Sequence, residues 1–596
     1  MTHDESERAG LAGPMLRRVL LIWAIVAAIE LAINAVPIAE VRFPDPDDTL
    51  RLLQVRDWLA GQSWFDVHQY RIDPPGGVAM HWTRLVDLPI AAVIISLGWL
   101  VGQPTAELIA LVTVPILTLG CVMLLIGRIA WTLFDKEVAG LACLACALAV
   151  PVIHQLRPLR IDHHGWQIVA VLGAINGLMA RDPRRGGWVV GSALAAGLAI
   201  SIEGLPFAAA VVAITALRWL RNPAQRRWIL HTMHALAASS IGLFLLTRGL
   251  GDLAQHCDAI SPAHLEILAW CAAAIAAAAL IRSCSRATIV GVLAVAVGGA
   301  LVILATAAPQ CVAGPFAGLD PLVRSFWLDG VLEGRPLWHD SVSALLQGMA
   351  LPLVGLAATW QLARRASGGL RWWWTEYGLL LLSATLVGLL VARAAGAACA
   401  LAAVPVGWQL REWMRASRAT TRPSQRALAF GGIALALAPA APLSLLAVAS
   451  PGHAAPRRGA LNGALTEHLS NCKMDEAAPA LAALPRGEIL APLDIGPRLL
   501  YLTPHSVLAT GHHRAARAMH EVIAAFLGSS EEAHALVRLR GIEYVAICPD
   551  LIEPHLYIAQ APHGFAAQLV DGQVPTWLQP VVAPPGASFR VWRVVG

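Results

Sequence analysis

Three carboxylates in four positions, Asp45, Asp47 and Asp48, come directly after the first apolar run of the chain. A chain leaving a bilayer meets the interface there. Carboxylates so crowded repel one another unless a cation neutralises them, and a divalent ion with oxygen ligands is the usual answer. Asp is also a favoured helix cap, so a helix beginning near Thr49 accounts for one of the three, but less readily for all. A second constellation is Arg157-Pro-Leu-Arg-Ile-Asp-His-His-Gly-Trp166. Its Asp162 and His164 are two apart with His163 between, and Asp-x-His at a turn places both side chains on one cation. The competing reading is a set of interfacial residues capping the next helix, although ionisable groups at membrane depth are functional by default. Taken together, the two constellations predict a divalent-metal site.

The elements that must position these residues follow from composition. The chain has 596 residues, 57% hydrophobic and 14% charged, with a mean hydropathy of +0.60. Those values exclude an ordinary soluble globule and predict a polytopic α-helical membrane protein. Basic charge is nearly all Arg, clustered in short loops, so the net charge of +5 does not point to nucleic acid. Apolar runs near 19–38, 106–131, 138–156, 165–180, 187–202, 204–220, 229–247, 263–281, 287–308, 341–361, 373–392, 395–411 and 427–449 give about thirteen spans. Leu88–Val101 is too short for a full crossing and holds Pro89 and Gly98. If it returns to the face it left, nearly every short Arg-rich loop falls on one side, the cytoplasmic one by the positive-inside rule. The opposite side then carries the first loop 39–105, the turn of Asp162, the Glu203 turn, 248–262, the late loop 309–340, the Arg393 turn and the chain after 450.

From about Pro451 the pattern changes. GEILAPLDIGPRLLYLTPHSVLAT, AARAMHEVIAAFL, EEAHALVRLR and GIEYVAICPD read as strand, helix, helix, strand, predicting a small α/β domain over 450–596 beside a membrane domain over 1–449. Cys472 and Cys548 lie in it, Cys257 and Cys311 in two outer loops. In an oxidising compartment these four form two disulfides whose pairing spacing alone does not fix. Cys143 and Cys146 make a CxxC inside an apolar helix, where packing is the expected role. His512-His513-Arg514 follow a Thr-Gly turn and read as an exposed polar loop.

The chain resembles the C-type (GT-C) membrane glycosyltransferases, most of all the oligosaccharyltransferase catalytic-subunit family. The resemblance rests on Asp45-Pro46 with Arg51 six residues on, Trp64-Phe-Asp66, the Pro/Gly-rich 74–77, His81-Trp-Thr-Arg-Leu-Val-Asp-Leu-Pro89 and Arg160-Ile-Asp-His-His164. It covers roughly the first third, and beyond that only the architecture. It implies that a first-loop Asp, with Asp162 and His164, holds Mn2+ or Mg2+. The spacing to Arg51 favours Asp45, with Asp47 and Asp48 as close rivals. It also implies a Glu in the late outer loop, here Glu333 without the hydroxyl residue that precedes it in the family, and an Arg on the donor phosphates, here Arg393. Arg393 also reads as a residue snorkelling to the interface. Asp45, Asp48 and Glu333 are the candidate catalytic carboxylates. Asp47, His163, His81 and Glu203 stand behind them.

The family's WWDYG acceptor motif is absent from the C-terminal domain. Trp372-Trp-Trp-Thr-Glu-Tyr-Gly378 matches it in letters only, at a span end where Trp and Tyr anchor to the interface. The expectation is a bacterial inner-membrane glycosyltransferase with a periplasmic site, moving a sugar from a polyprenyl-phosphate-linked donor in the membrane lipid to an unidentified acceptor, with inversion. The rival, a secondary transporter or lipid flippase, predicts ionisable groups at mid-bilayer and internal repeats. Here the ionisable groups sit at span ends.

Overall fold

Asp, Ser and Pro between the apolar runs set where the helices begin. In the computed structural model, which describes residues 5–278, 280–281, 285–442, 472–582 and 586–595, Asp135 caps the helix Lys136–Ala147 by accepting from the Glu137 and Val138 amides. Asp182 does the same for Pro183–Ile200. Each removes orphan donors of the first turn. The chain divides into two units, one made of 1–38, 93–315 and 332–455, the other of 39–92, 316–331 and 456–596.

The first unit is all helical. By length and composition six of the described helices suffice to cross a membrane: Gln103–Leu133, Ile202–Arg221, Pro223–Thr247, Arg286–Ala307, Val342–Arg365 and Gly368–Leu390. Asp87–Val101 is apolar but only 15 residues long, about 22 Å of helix against the roughly 30 Å of a hydrocarbon core. Gly102, at φ 81°, turns the chain straight into the next helix. The expected run at 427–449 is covered by Pro423–Leu437 at its start, while its end, like the domain boundary at 449/450, lies outside the described residues.

Small residues let these helices touch. A Cβ on Gly191 would stand 2.4 Å from the Thr232 carbonyl oxygen, and one on Gly407 would stand 2.6 Å from the Ala142 nitrogen, close approaches of the kind that hold helices together in lipid. The Trp-rich 372–378 segment departs from expectation. Trp372 is exposed, but Trp374 and Tyr377 are buried. The Tyr377 hydroxyl donates to the Leu401 carbonyl at 2.7 Å, and Glu376 takes two bonds from Arg218 at 2.9 and 2.7 Å. These side chains fasten helix to helix, because one face of Gly368–Leu390 packs inward. Cys143 and Cys146 are buried packing residues.

The second unit holds the expected α/β domain and more. Its sheet has the order β4-β3-β5-β7-β6, with β3 Glu488–Leu490, β4 Ser506–Val507, β5 Tyr544–Ile547, β6 Leu578–Val582 and β7 Arg590–Val594. The strand β3 pairs in parallel with β4 and β5, as helical crossovers demand. The helix Ser530–Arg540 has a full capping box from Ser529 and Glu532 and ends at Gly541 in the left-handed region, matching the strongest start and stop signals. The β6–β7 hairpin escaped the sequence reading because Pro580 breaks its strand pattern. As β6 is the edge strand, that Pro costs no ladder bond.

The segment 39–92 belongs to this same unit. Its hairpin of β1 His68–Gln69 and β2 Val78–Ala79 is followed by a buried network. Arg51 meets Asp87 at 2.9 Å, Gln54 donates to Asp87 at 2.8 Å, and Arg84 donates to the Gln54 carbonyl at 3.0 Å. Arg71 donates to the Thr503 and Leu500 carbonyls at 2.9 and 2.8 Å, and Ile72 bridges Val507. The disulfide Cys472–Cys548 lies in this unit and Cys257–Cys311 in the first, so all four cysteines expected to pair do so.

Candidate active site in the membrane unit

The turn before His164–Leu178 is tight. Leu159 takes φ 70° and its amide is held by the Leu111 carbonyl at 3.0 Å. A Cβ on Gly165 would lie 2.6 Å from a Leu156 methyl and 3.2 Å from the Gln155 carbonyl oxygen, so the turn closes tightly against the new helix. The result buries Asp162, His163 and His164 together. Asp162 lies between two rings, Oδ1 at 2.6 Å from His163 Nδ1 and Oδ2 at 3.3 Å from His164 Nε2.

Three other charges converge on this turn, and each stands at the centre of a three-residue 3-10 turn. Glu203 sits in Ile202–Gly204, Glu333 in Leu332–Gly334 and Arg393 in Ala392–Ala394. Glu203 Oε2 is 4.0 Å from both His163 Nε2 and His164 Nδ1. Arg393 bonds Glu203 with one arm and Glu333 with the other, at 3.2 Å. Arg160 reaches Glu333 at 3.5 Å. Burial pushes the Glu333 carboxyl up, but Arg160 and Arg393 outweigh it and hold it down at about 2.

The donor set here fits a divalent cation. One carboxylate and two imidazoles offer atoms that all lie within 4.8 Å of one another, in a buried turn. Because two of the three donors are nitrogens, Mn2+ suits them better than Mg2+, which prefers oxygen and keeps its waters. Thus Asp162, His163, His164, Glu203 and Arg393, read at span ends, and Glu333, read in the late loop from the resemblance, form one cluster. Arg160, quoted in the sequence motif but given no role there, joins them.

Asp45, Asp47 and Asp48 lie in the other unit, at the start of the helix Pro46–Leu59. Asp45 caps that helix by accepting from the Asp47 amide at 2.9 Å, and Asp48 is buried. The helix begins three residues earlier than expected because Pro46 fits its first position. His81 belongs to the same unit and stands against His512 and His513. The structure corrects the exposed-loop reading of 512–514: His512 is 2% exposed, held where the loop folds back on the strand hairpin.

No family model matches the chain, and no curated protein matches it. Solved structures do. The archaeal oligosaccharyltransferase AglB from Archaeoglobus fulgidus, in complex with an inhibitory peptide and a dolichol-phosphate, has a TM-score of 0.64 at 16% identity, covering 96% of this chain and 74% of its own. The Archaeoglobus fulgidus oligosaccharyltransferase in complex with Zn and sulfate has a TM-score of 0.56 at 14% identity, with 95% and 72% covered. The chain has the fold of these oligosaccharyltransferase structures.

Proposed function

We propose that the chain is a metal-dependent glycosyltransferase, moving a sugar or oligosaccharide from a polyprenyl-phosphate-linked donor to an acceptor with inversion. The observation that carries this reading is the convergence of buried Asp162, His163 and His164 with partly exposed Glu203, Glu333 and Arg393 in a unit of membrane-length helices. Solved neighbours of the same fold hold a dolichol-phosphate, or Zn and sulfate, ligands of the chemistry this cluster suits.

Asp162, His163 and His164 would hold the ion, with Asp45, Asp47 or Asp48 proposed as the further carboxylate on the first-loop spacing. A bound divalent cation supplies positive charge for the oxygens of a departing phosphate. Arg393 presents a planar fork of donors that suits a phosphate as well as the two carboxylates it now spans. On this reading the donor phosphate takes one arm of Arg393 while Glu333 keeps the other. Glu333, or a carboxylate of the first loop, orients or deprotonates the acceptor. Two disulfides support an oxidising compartment for the loops that carry them, in line with a periplasmic site on an inner-membrane protein.

The test is transfer by purified protein from polyprenyl-phosphate-linked mono- and oligosaccharides, with and without chelator. Chelator-sensitive transfer supports the reading. Transfer that ignores chelator removes the metal role, and lipid or solute translocation without transfer favours the transporter rival.

A further inference from the structure

A second group of donors lies within the other unit. His81 follows β2, while His512 and His513 sit in the loop after β4, 431 positions from His81 in the case of His512. His81 Nδ1 and His512 Nε2 are 3.0 Å apart, and one nitrogen from each of the three rings lies within 4.8 Å of the other two. The rings are nested: 5.2 Å between the centroids of His81 and His512, 4.8 Å for His512 and His513, and 4.9 Å for His81 and His513. Two nitrogens ligating one ion at about 2.0–2.1 Å stand roughly 3–3.4 Å apart. The observed separation matches that, or a shared proton.

The surroundings brace the rings before any ion arrives. Arg514 donates to the Ala79 and Met80 carbonyls at 3.2 and 3.3 Å, just ahead of His81. The Val507 amide donates to the Arg71 carbonyl at 2.9 Å and the Asp73 amide to the Val507 carbonyl at 3.1 Å, joining the two loops' strands. Fully buried Trp82 sets its ring edge-on to His512 at 5.5 Å, and Phe316 does so to His513 at 5.0 Å. Gly511 passes so near Trp327 that a Cβ would lie 2.9 Å from its indole nitrogen. A geometry fixed by packing is what a metal site needs from its supports.

We propose that His81, His512 and His513 bind a borderline transition-metal ion of the Zn2+, Co2+, Ni2+ or Cu2+ class. Three imidazoles without a carboxylate select those ions over Mg2+, Ca2+ or Mn2+. Three protein ligands leave a coordination position for water or for an oxygen of a bound molecule. The ion fastens the 510–514 loop to the β1–β2 hairpin. This assignment does not depend on the glycosyltransferase reading.

Co2+ titration of the purified full chain tests it, following the visible d–d bands of a low-coordinate ion and their loss on adding Zn2+. With the Asp162 cluster disabled by Asp162→Asn in every sample, the expected result is one such site, weakened about 100-fold or more by His512→Ala and by His81→Ala, the scale for damage to a ligand set. In His512→Cys it should be retained with a new thiolate-to-Co2+ charge-transfer band. Circular dichroism of each variant identifies any that has misfolded, and the thiolate band of His512→Cys then decides. Equal Co2+ bands with and without His512→Ala, or no thiolate band in a folded His512→Cys, would overturn the site and leave a proton-sharing histidine pair.

Discussion

Arg393 Nη1 donates to Glu333 Oε1 at 3.2 Å, and the two residues occupy the centres of two short 3-10 turns joined by the Ala392 amide donating to the Arg335 carbonyl at 3.0 Å. The other arm of Arg393 reaches Glu203, so one guanidinium ties three separate helix ends together. Lys in its place keeps the charge but has no fork to span both carboxylates. Arg393→Lys should therefore lower sugar transfer at least about tenfold, with the larger part in donor KM, if the fork also serves a phosphate. Steady-state kinetics with varied donor give the split. Full activity in Arg393→Lys would show that only charge is needed there.

Asp162 faces His163 and His164 with its two oxygens. Asp162→Asn preserves shape and removes one charge from the ion's ligand set, so metal affinity should fall and transfer with it, by about 100-fold or more on the scale of one electrostatic group. Asp182 is the control. It caps a helix through the Arg184 and Arg185 amides at 3.1 and 3.3 Å, and Asn caps as well as Asp, so Asp182→Asn should leave both transfer and expression intact. The check is transfer against Mn2+ concentration for both variants.

The span-end charges were legible one by one, because an ionisable residue between two apolar runs has few roles. Their convergence was not, since it depends on helix packing set by contacts such as Gly191 against Thr232. The α/β core was readable from the patterns of 488–490 and 544–547, whereas the β6–β7 hairpin hid behind Pro580. That 39–92 packs with the C-terminal strands could not be read either. The Arg71 bonds to Thr503 and Leu500 carbonyls are backbone contacts that leave no residue pattern. The same holds for His81 and His512, a pair no local spacing connects.

The Cys472–Cys548 disulfide closes a loop of 76 positions in sequence. Constraining the unfolded chain over such a length stabilises by about 4.5 kcal/mol in the chain-entropy account. Cys548→Ser should weaken hydrogen-exchange protection of the β3 and β5 amides by that amount while leaving Gln103–Leu133 unchanged. Equal loss in both units would mean that the bridge supports the whole chain and not one domain.

Glu488 begins the inner strand β3 and is 9% exposed. Burial pushes its carboxyl up to about 7; Arg540 pulls it down, and Asp73, Glu543 and Glu521 add to the rise. A carboxyl whose folded value lies above its unfolded 4.5 contributes stability that is complete below 4.5 and is lost as pH rises through about 7. The second unit should therefore lose about 2–3 kcal/mol between pH 4.5 and 8 from this group alone, at roughly 1.4 kcal/mol per unit. Glu488→Gln should flatten that slope and stabilise the unit at pH 8, with little effect at pH 4.5. Exchange protection of the β3 and β5 amides, corrected for the intrinsic pH dependence of exchange, measures both. A wild type whose protection does not change between pH 5 and 8, or a Glu488→Gln variant with the same slope, would place the buried charge's compensation in Arg540, which stands 2.8 Å from Asp73.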